Sequence, residues 1–585
     1  MAMVEGWLVA LFALLCPVAP ESAPAAPGRV LEVPPDETIQ SVLWKARPGD
    51  RLRLSGRHEE RIFPAFDLVI EAGEDGSLVG RDGPALSVGP GITVRVGSVL
   101  LERRNTPGLP GGPVVMVRGG SLLLEGTRVV AATDDGLRVA GHGHVELDGA
   151  SLQAARGTAL KVTDNGVANL VNGRISGDGS HVVVVSERAS LHAAGTIVTG
   201  RRTLLRGEDD GRITLSRLRL EGGERGVELA QRARVSCFET LLSDQRSVAL
   251  ELGDQSDMAL ADATVSPAVG MAVALNGDAN LQSRRTTWAG QPARAGLLGG
   301  QARWLGHRDT WQGWSGEGFT VSDLAGLAHR QLRVRRLVGT ALQLASHGRA
   351  VLMNADIEGV GEDGIVLVGD ARLQWEGGRL AQVGRDAVVA GGKSRVLLGG
   401  VQFSTSGRHD LVGDDESSLT LRDLKLTGAR EVALLARGRS RIEASRIAIE
   451  GHKGTGAAAL GDSRMVLDTA EIRGGRLGVL YLDRAAGELR QCRIADHAAD
   501  GVVVQDEACP RLQELEIRGQ GQAGLRILDG ARPVLERSVL VGNAIGLSVE
   551  APGRPRGQPF LGMNRVVDNT VLDHEGLLPG PLLKE

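Results

Sequence analysis

Large aromatic side chains are scarce in this sequence of 585 residues. They make up 3% of it, with a single Tyr, whereas Gly accounts for 82 residues. Aromatic rings contribute much of the bulk of an ordinary globular core, so their scarcity argues against a thick one. The many glycines indicate frequent tight turns, because glycine adopts turn conformations at no steric cost. These two features favour many turns around a thin aliphatic core.

Cysteine is also rare, with 4 residues in all. Cys16 lies near the start, and Cys237, Cys492 and Cys509 lie further along the chain. Their spacing fits no metal-binding motif, so we expect no metal site and no cofactor. Calcium binding has no support in the sequence but stays open. A disulfide between Cys492 and Cys509 also stays open, although free thiols are the favoured interpretation.

The sequence has no excess of basic residues. Its net charge is −4 and its pI is about 6.4. Nonspecific nucleic-acid binding needs a basic face, so we expect no nucleic-acid partner.

No apolar run is long enough to cross a membrane as a helix. The run at residues 7–16 is of the length found in a signal peptide, and Ala23-Pro24-Ala25 resembles a cleavage site. We therefore predict an export signal at residues 1–26 that is cleaved, and a periplasmic, cell-surface or extracellular mature chain without a transmembrane segment. An uncleaved anchor or misassigned start, and a lipoprotein modified at Cys16, stay open as alternatives.

One column of large apolar residues recurs along the chain at steps of 22 or 23 residues. With 42% hydrophobic residues overall, an unbroken column of this length is not expected by chance. The chain is therefore an internal repeat. The members of this main column are Val129, Leu152, Ile175, Ile197, Leu220, Leu242, Val265, Trp288, Trp311, Val334, Ile357, Leu380, Phe403, Leu426, Ile449, Ile472, Ile494, Ile517 and Leu540.

Two further pairs of apolar columns accompany the main column. One pair precedes it, as at Val145 and Leu147, and the other follows it, as at Leu137 and Val139. Apolar residues two positions apart indicate short strands with one buried face. A strand residue needs a backbone partner, which at this period is its equivalent in the next repeat. We therefore predict an all-β fold, a parallel β-solenoid of about twenty coils with 22–23 residues each.

Two other repeat architectures fit the sequence less well. Leucine-rich repeats have a similar period, but they carry a regularly placed Asn or Cys and helical convex segments, and neither is evident. A left-handed hexapeptide helix would show a period of six or eighteen residues, which is absent.

The start of the chain carries a more specific pattern. Residues 30–33 form a predicted strand, and residues 38–46 form a predicted short helix with Asp36 as its cap and Ile39, Val42 and Leu43 on one face. Pro48-Gly49-Asp50 then turns into a strand at residues 51–54. This arrangement resembles the N-terminal cap of pectate-lyase-like right-handed parallel β-helix proteins. That resemblance implies a right-handed coil and a superfamily that holds polysaccharide lyases, glycoside hydrolases, epimerases, adhesins and proteins without known activity.

Four segments follow from these observations. Residues 1–26 are the predicted export signal, and residues 27–113 the cap and irregular first coils. Residues 114–550 are the regular β-helix. Residues 551–585 are a loop, a last coil and a tail.

Polar residues in successive coils suggest a candidate site. Asp363, Asp386 and His409 occupy one position in three successive coils, with Arg385 and Arg408 one residue earlier than Asp386 and His409. Adjacent rungs lie about 4.8 Å apart, so paired carboxylates there could act in glycoside hydrolysis or raise the pKa of a general base. Arg385 is placed to bind a substrate carboxylate, and Arg408 is a second substrate-binding candidate.

A structural interpretation of these five residues is favoured over the catalytic one. At another turn position, residues 370, 393, 416, 439 and 462 alternate in charge from coil to coil. Alternation of this kind fixes register and needs no substrate. No strong catalytic motif accompanies the five residues.

Five of the 7 Trp residues lie between positions 288 and 375. Four of them fall on core columns, whereas Trp314 follows Trp311 in a turn and is the one candidate for stacking against a sugar. The favoured function is a noncatalytic, monomeric rod that binds a polysaccharide or cell-envelope glycan. A polysaccharide lyase, glycoside hydrolase or uronate epimerase is the alternative.

Overall fold

The structure is a computed structural model that describes residues 28–104, 111–550 and 560–576. The predicted export signal at residues 1–26, Cys16, the loop at residues 551–559 and the tail from residue 577 lie outside these ranges. The free-thiol interpretation agrees with the structure, in which Cys237 and Cys492 are buried and Cys509 is exposed, all unbridged.

The described chain is an all-β parallel solenoid of about 23 turns, as the repeat predicts. A regular coil holds three short strands, such as Ser418–Arg422, Lys425–Thr427 and Val432–Ala436. Each pairs in parallel with the same strand of the next coil. We call these the first, second and third strands. The first and second strands share one sheet, and the third strands form another.

Chain bends separate the first and second strands of most coils. The residue at the bend has a positive φ, as at Asp423 with φ 54°. Three consecutive coils instead carry the first and second strands as one long strand, and these are Arg349–Val360, Arg372–Val383 and Arg395–Ser406. The third strands of the same coils are short, and they are Ile365–Leu367, Val388–Ala390 and Leu411–Gly413.

The main column forms the axis of the core, with one correction. Val129 pairs with Leu152 and Leu152 with Ile175, as predicted. Ile175, however, pairs with Val198 and not with Ile197, which is half-buried. The prediction of Ile197 was wrong because two adjacent β-branched residues both fitted the spacing. The other eighteen members stack as predicted, down to Ile517 on Leu540.

The N-terminal cap of the solenoid has the predicted strands and helix, but the N-cap residue of the helix differs from the prediction. Strands Val30–Val33 and Arg51–Leu54 enclose a helix at Ile39–Leu43, which buries Ile39, Val42 and Leu43. The N-cap is Thr38 and not Asp36, and the Thr38 hydroxyl accepts the Ser41 N–H at 3.3 Å. The Glu60 carboxylate accepts the Ile39 N–H at 2.8 Å. Its other oxygen accepts the Gln40 N–H at 3.2 Å, so Glu60 satisfies two of the helix N–H groups that have no partner within the helix.

The described residues before 114 already form parallel coils. Strands Leu68–Ala72 and Thr93–Gly97 pair with the first strands above and below them. The described strands after residue 559 are Phe560–Gly562, Arg565–Val567 and Leu572–Gly576.

Truncation of a main-column residue should destabilise the rod. Phe403 is fully buried, pairs with Leu380 and Leu426, and its ring lies 6.1 Å from that of Trp375. Phe403→Ala should lower the free energy of unfolding by about 3–5 kcal/mol, because it leaves a cavity in a packed core. Denaturant unfolding followed by circular dichroism measures this value.

Leu305→Ala is the matched control, since Leu305 is 54% exposed on a first strand. It should change stability by less than about 0.5 kcal/mol. Equal effects of the two substitutions would contradict the assignment of the core column.

Candidate functional site

Five residues at the start of the third strands make up the candidate site: Asp363, Arg385, Asp386, Arg408 and His409. We call them the polar strip. Asp363 Oδ1 accepts the Asp386 N–H at 3.0 Å, and Asp386 Oδ1 accepts the His409 N–H at 3.1 Å. Each carboxylate thus binds the backbone of the next coil. The structure brings the five predicted residues together as the repeat requires.

The same contact recurs far from the polar strip. Asp135 Oδ1 accepts the Thr158 N–H at 3.0 Å, and Asp500 Oδ1 accepts the Ala523 N–H at 2.8 Å. Both acids occupy the position of Asp386 in their own coils. An acidic residue at this position therefore has a structural task, which is to accept a backbone N–H group where the chain enters the third strand.

His409 and Asp386 form the most buried part of the polar strip. His409 Nδ1 lies 2.7 Å from Asp386 Oδ1, and both residues are buried. Burial acts to raise the pKa of Asp386, but the hydrogen bonds and charge of His409, with Arg408 beside them, hold that pKa below its usual range. The expectation of a raised pKa is therefore wrong for Asp386. The surroundings of Asp386 stabilise its ionised form, and a stabilised carboxylate is a weak base.

Both arginines of the polar strip lie near acidic side chains. Arg385 Nε is 3.7 Å from Asp363 Oδ1, and Arg408 Nη1 is 3.7 Å from Asp386 Oδ2. Arg408 Nε also lies 3.6 Å from Glu431, whose other oxygen is 3.4 Å from His409 Nε2. The arginine side chains stay about half exposed, so a ligand can still reach them. Their role in substrate binding remains a prediction.

The charge alternation at the neighbouring turn is real over three coils. Glu416 lies 3.9 Å from Lys393 and 3.6 Å from Arg439. These exposed pairs contribute little stability each, but they disfavour a shift in register.

Trp314 is not a surface residue, and its predicted role in sugar binding is wrong. It is 1% exposed, and its ring lies 5.8 Å from Trp311 and 5.1 Å from Phe319. Trp314 is the last residue of the second strand Thr310–Trp314 and not part of a turn. Gly313 before it has a φ of 74°, which breaks the alternation of the strand and directs Trp314 into the core. The four other Trp residues between 288 and 375 are also fully buried, as expected.

An apolar stripe beside the polar strip escaped the sequence analysis. It runs along the outer face of the third-strand sheet, and its middle forms a cluster separate from the main core. The sequence does carry a signal for it. The middle residue of each third strand lies between two inward-pointing residues, and it is apolar in seven successive coils. Its members are Val366, Val389, Val412, Leu435, Ala458, Leu480 and Val503.

The apolar stripe is bounded by polar residues along the same face. Gln343 precedes Val366, and Arg526 follows Val503. Val412 and Leu435 are 2% and 6% exposed although they face outward, because Val432 and Leu460 pack beside them. The polar strip borders the stripe where the third strands begin.

Metal ligation has no support in the described part of the chain. There, no group of three or more His, Cys, Asp or Glu side chains is arranged to hold a metal ion. Nor does any helix of the described residues have the length and apolarity needed to cross a bilayer.

Comparison with known proteins places the fold. Residues 432–577 match the sequence model of a family described as the right handed beta helix region. With the parallel coils, this match over residues 432–577 supports a right-handed parallel β-helix as the fold of the chain. The family match gives the coil the right-handed sense that the cap pattern implied.

Several solved structures resemble the chain in fold alone. One is pectate lyase Pel9A, with 9% identity, a TM-score of 0.32, and coverage of 51% of this chain and 78% of that one. Another is the PL6 family alginate lyase AlyGC, with 10% identity, a TM-score of 0.24, and coverage of 93% and 100%. A third is the catalytic domain of a GH87 alpha-1,3-glucanase, with 11% identity, a TM-score of 0.20, and coverage of 67% of each chain. No curated protein matches the sequence.

Neutralising Asp386 should destabilise the fold in a pH-dependent way. A carboxylate with a lowered pKa contributes stability above its ordinary pKa and loses it as the pH falls through the lowered value. Asp386→Asn should therefore cost about 1–3 kcal/mol at pH 7, with a smaller difference near pH 3. Differential scanning calorimetry at the two pH values measures this.

Asp500→Asn is the matched control, because Asp500 makes the same backbone contact outside the polar strip. A similar cost at both positions supports the structural task. If Asp386→Asn is at least as stable as the wild type at pH 7, the structural task is contradicted. Replacing a strained functional residue often stabilises a protein, so that result would favour a functional role.

Proposed function

We propose that this chain is an exported, noncatalytic rod that binds an extended glycan along the outer face of its third-strand sheet. The export part of the proposal rests on the apolar run at residues 7–16 and on the cleavage-like sequence after it. The binding part rests on the apolar stripe and on the polar strip beside it.

The observation that carries the noncatalytic part is the shared backbone contact of the acids. Asp363 and Asp386 make the same hydrogen bond as Asp135 and Asp500, which lie outside the polar strip. The lowered pKa of Asp386 fits a structural carboxylate better than a general base.

The apolar stripe supports binding of a long, linear ligand. Seven successive rungs span roughly 30 Å at about 4.8 Å per rung. Ligand sites combine an apolar floor with a few polar groups that fix orientation. Here the half-buried members Val366, Val389 and Leu480 offer apolar contact to the C–H faces of sugar rings. Arg385, Arg408 and Glu431 remain available to the sugar hydroxyl groups.

A second candidate function is favoured by one observation. The contact between Asp386 and His409, continued from His409 to Glu431, resembles the orientation of a base by a neighbouring acid. A lyase, hydrolase or epimerase acting on the same face would use this row of side chains. Turnover, and not binding, distinguishes it from the favoured function.

A panel of neutral and uronate-containing polysaccharides tests both functions on the mature chain, with and without calcium. We expect binding without release of reducing ends or unsaturated uronate. Val389→Asp with Leu480→Asp should weaken binding at least about tenfold, because two carboxylates would replace half-buried apolar contacts. Isothermal titration measures the affinity.

Gln343→Asp is the matched control, since it places a carboxylate on the same face just outside the stripe. It should leave affinity nearly unchanged. Turnover that Asp386→Asn abolishes in a folded protein would establish the enzyme instead. If the stripe substitutions leave the glycan affinity unchanged, the apolar stripe is not the binding surface.

A further inference from the structure

One buried acid has no place in either the polar strip or the backbone contacts described above. Asp410 follows His409 and is fully buried. From Ala85 to Gly546, the equivalent residue of every other coil is Gly, Ala, Val or Leu. Its neighbours at this position are Ala387 and Ala433. A carboxyl group thus replaces a small apolar side chain at an inner corner of the solenoid.

The Asp410 side chain has one partner. The Ser406 hydroxyl donates to its Oδ1 at 2.5 Å. Its Oδ2 has no hydrogen-bond partner among the described residues. Burial raises the pKa of Asp410 to about 7, and the hydrogen bond from Ser406 opposes the rise. A buried carboxylate with one unpaired oxygen costs far more free energy than the protonated acid in the same place.

The groups that face this corner carry no charge. Ser406 comes from the preceding long strand, and Ala387 and Ala433 hold the same position in the coils before and after. The titratable and charged residues of these turns are Arg385, Asp386, Arg408, His409, Arg430 and Glu431. Asp386, Arg408, His409 and Glu431 contact one another at the polar strip, and Arg385 lies near Asp363. They do not supply a hydrogen bond to Asp410.

Asp410 is also directly linked to the middle of the apolar stripe. The next residue, Leu411, points into the core, and Val412 after it is a central member of the stripe. The preceding residue, His409, holds Asp386 and lies against Glu431. A movement of the backbone at Asp410 therefore displaces both the stripe and the polar strip.

We propose that Asp410 is a proton-controlled latch for the outer face: protonated, it closes the corner and keeps the stripe in order, and ionised, it draws water into the corner and loosens residues 407–413. Its consequence for binding rests on the proposed function. The latch itself does not. Glycan affinity is accordingly highest under acidic conditions and falls as the pH rises through neutrality.

The direction of the pH effect follows from linkage. The unfolded chain loses the Asp410 proton near the ordinary value for Asp, whereas the folded chain keeps it to about pH 7. The contribution of the protonated acid to stability is complete below the ordinary value and is lost as the pH rises to about 7.

Hydrogen exchange of the full mature chain at pH 5.5 and 8.5, corrected for intrinsic rates, tests the latch without any glycan. We expect amides at residues 407–413 to lose protection at the higher pH in the wild type. Asp410→Ala, which restores the residue found in the coils on either side, should keep protection at both. Asp410→Asn, which preserves shape, provides a second variant.

Asp309→Asn is the matched control. Asp309 is a fully buried acid whose pKa burial also raises to about 7, against hydrogen bonds from Ser283 and the Thr286 N–H. This variant should leave the pH response of residues 407–413 as in the wild type. Unchanged protection in the wild type, or an equal loss in Asp410→Ala, would overturn the latch.

Glycan affinity over the same pH range tests the coupling. It should fall several-fold in the wild type and stay level in Asp410→Ala. If no glycan binds, the proposed function fails, while the exchange result still decides the latch. If affinity is independent of pH although exchange shows the latch, the coupling to the outer face is overturned.

Discussion

Every rung of this rod depends on the backbone hydrogen bonds that join each strand residue to its equivalent in the next coil. That pairing fixes the rise at about 4.8 Å and stacks each side chain on the residue one repeat away. A position in the coil therefore acquires a single environment along the whole rod. Apolar positions become continuous core columns, and positively charged residues in the turns alternate with acidic ones, as around Glu416.

The same pairing explains the polar strip and weakens it as evidence for catalysis. Backbone N–H groups at the start of the third strands need acceptors, and acids at this position supply them both within and outside the strip. The acids alone therefore say little about chemistry. What is local to these coils is the coincidence of the strip with seven apolar rungs on the outer face and with an ionisable group beneath them. This coincidence, and not the carboxylates by themselves, is the basis of the proposed function.

Periodicity predicted the architecture well because it is a statement about many residues at once. The column failed at Ile197, where Val198 fits the spacing equally well, and the helix cap was misplaced because Thr38 competes with Asp36 for it. The repeat predicted that the site residues lie together, but it did not predict their burial or their hydrogen-bond partners. Trp314 is the buried last residue of a strand and not a turn residue, and the pKa of Asp386 depends on His409. Burial and partners of this kind are set by the three-dimensional fold, so spacing alone could not predict them.

A crystal structure of the mature chain with a bound oligosaccharide tests the central claim most directly. The account predicts an intact ligand lying along the outer face of the third-strand sheet, over Val389, Val412 and Leu435, with the hydrogen bond between Asp386 and His409 preserved. A cleaved ligand with its new end at His409 would contradict the noncatalytic part. A ligand bound at another face of the solenoid would contradict the assignment of the apolar stripe as the binding surface.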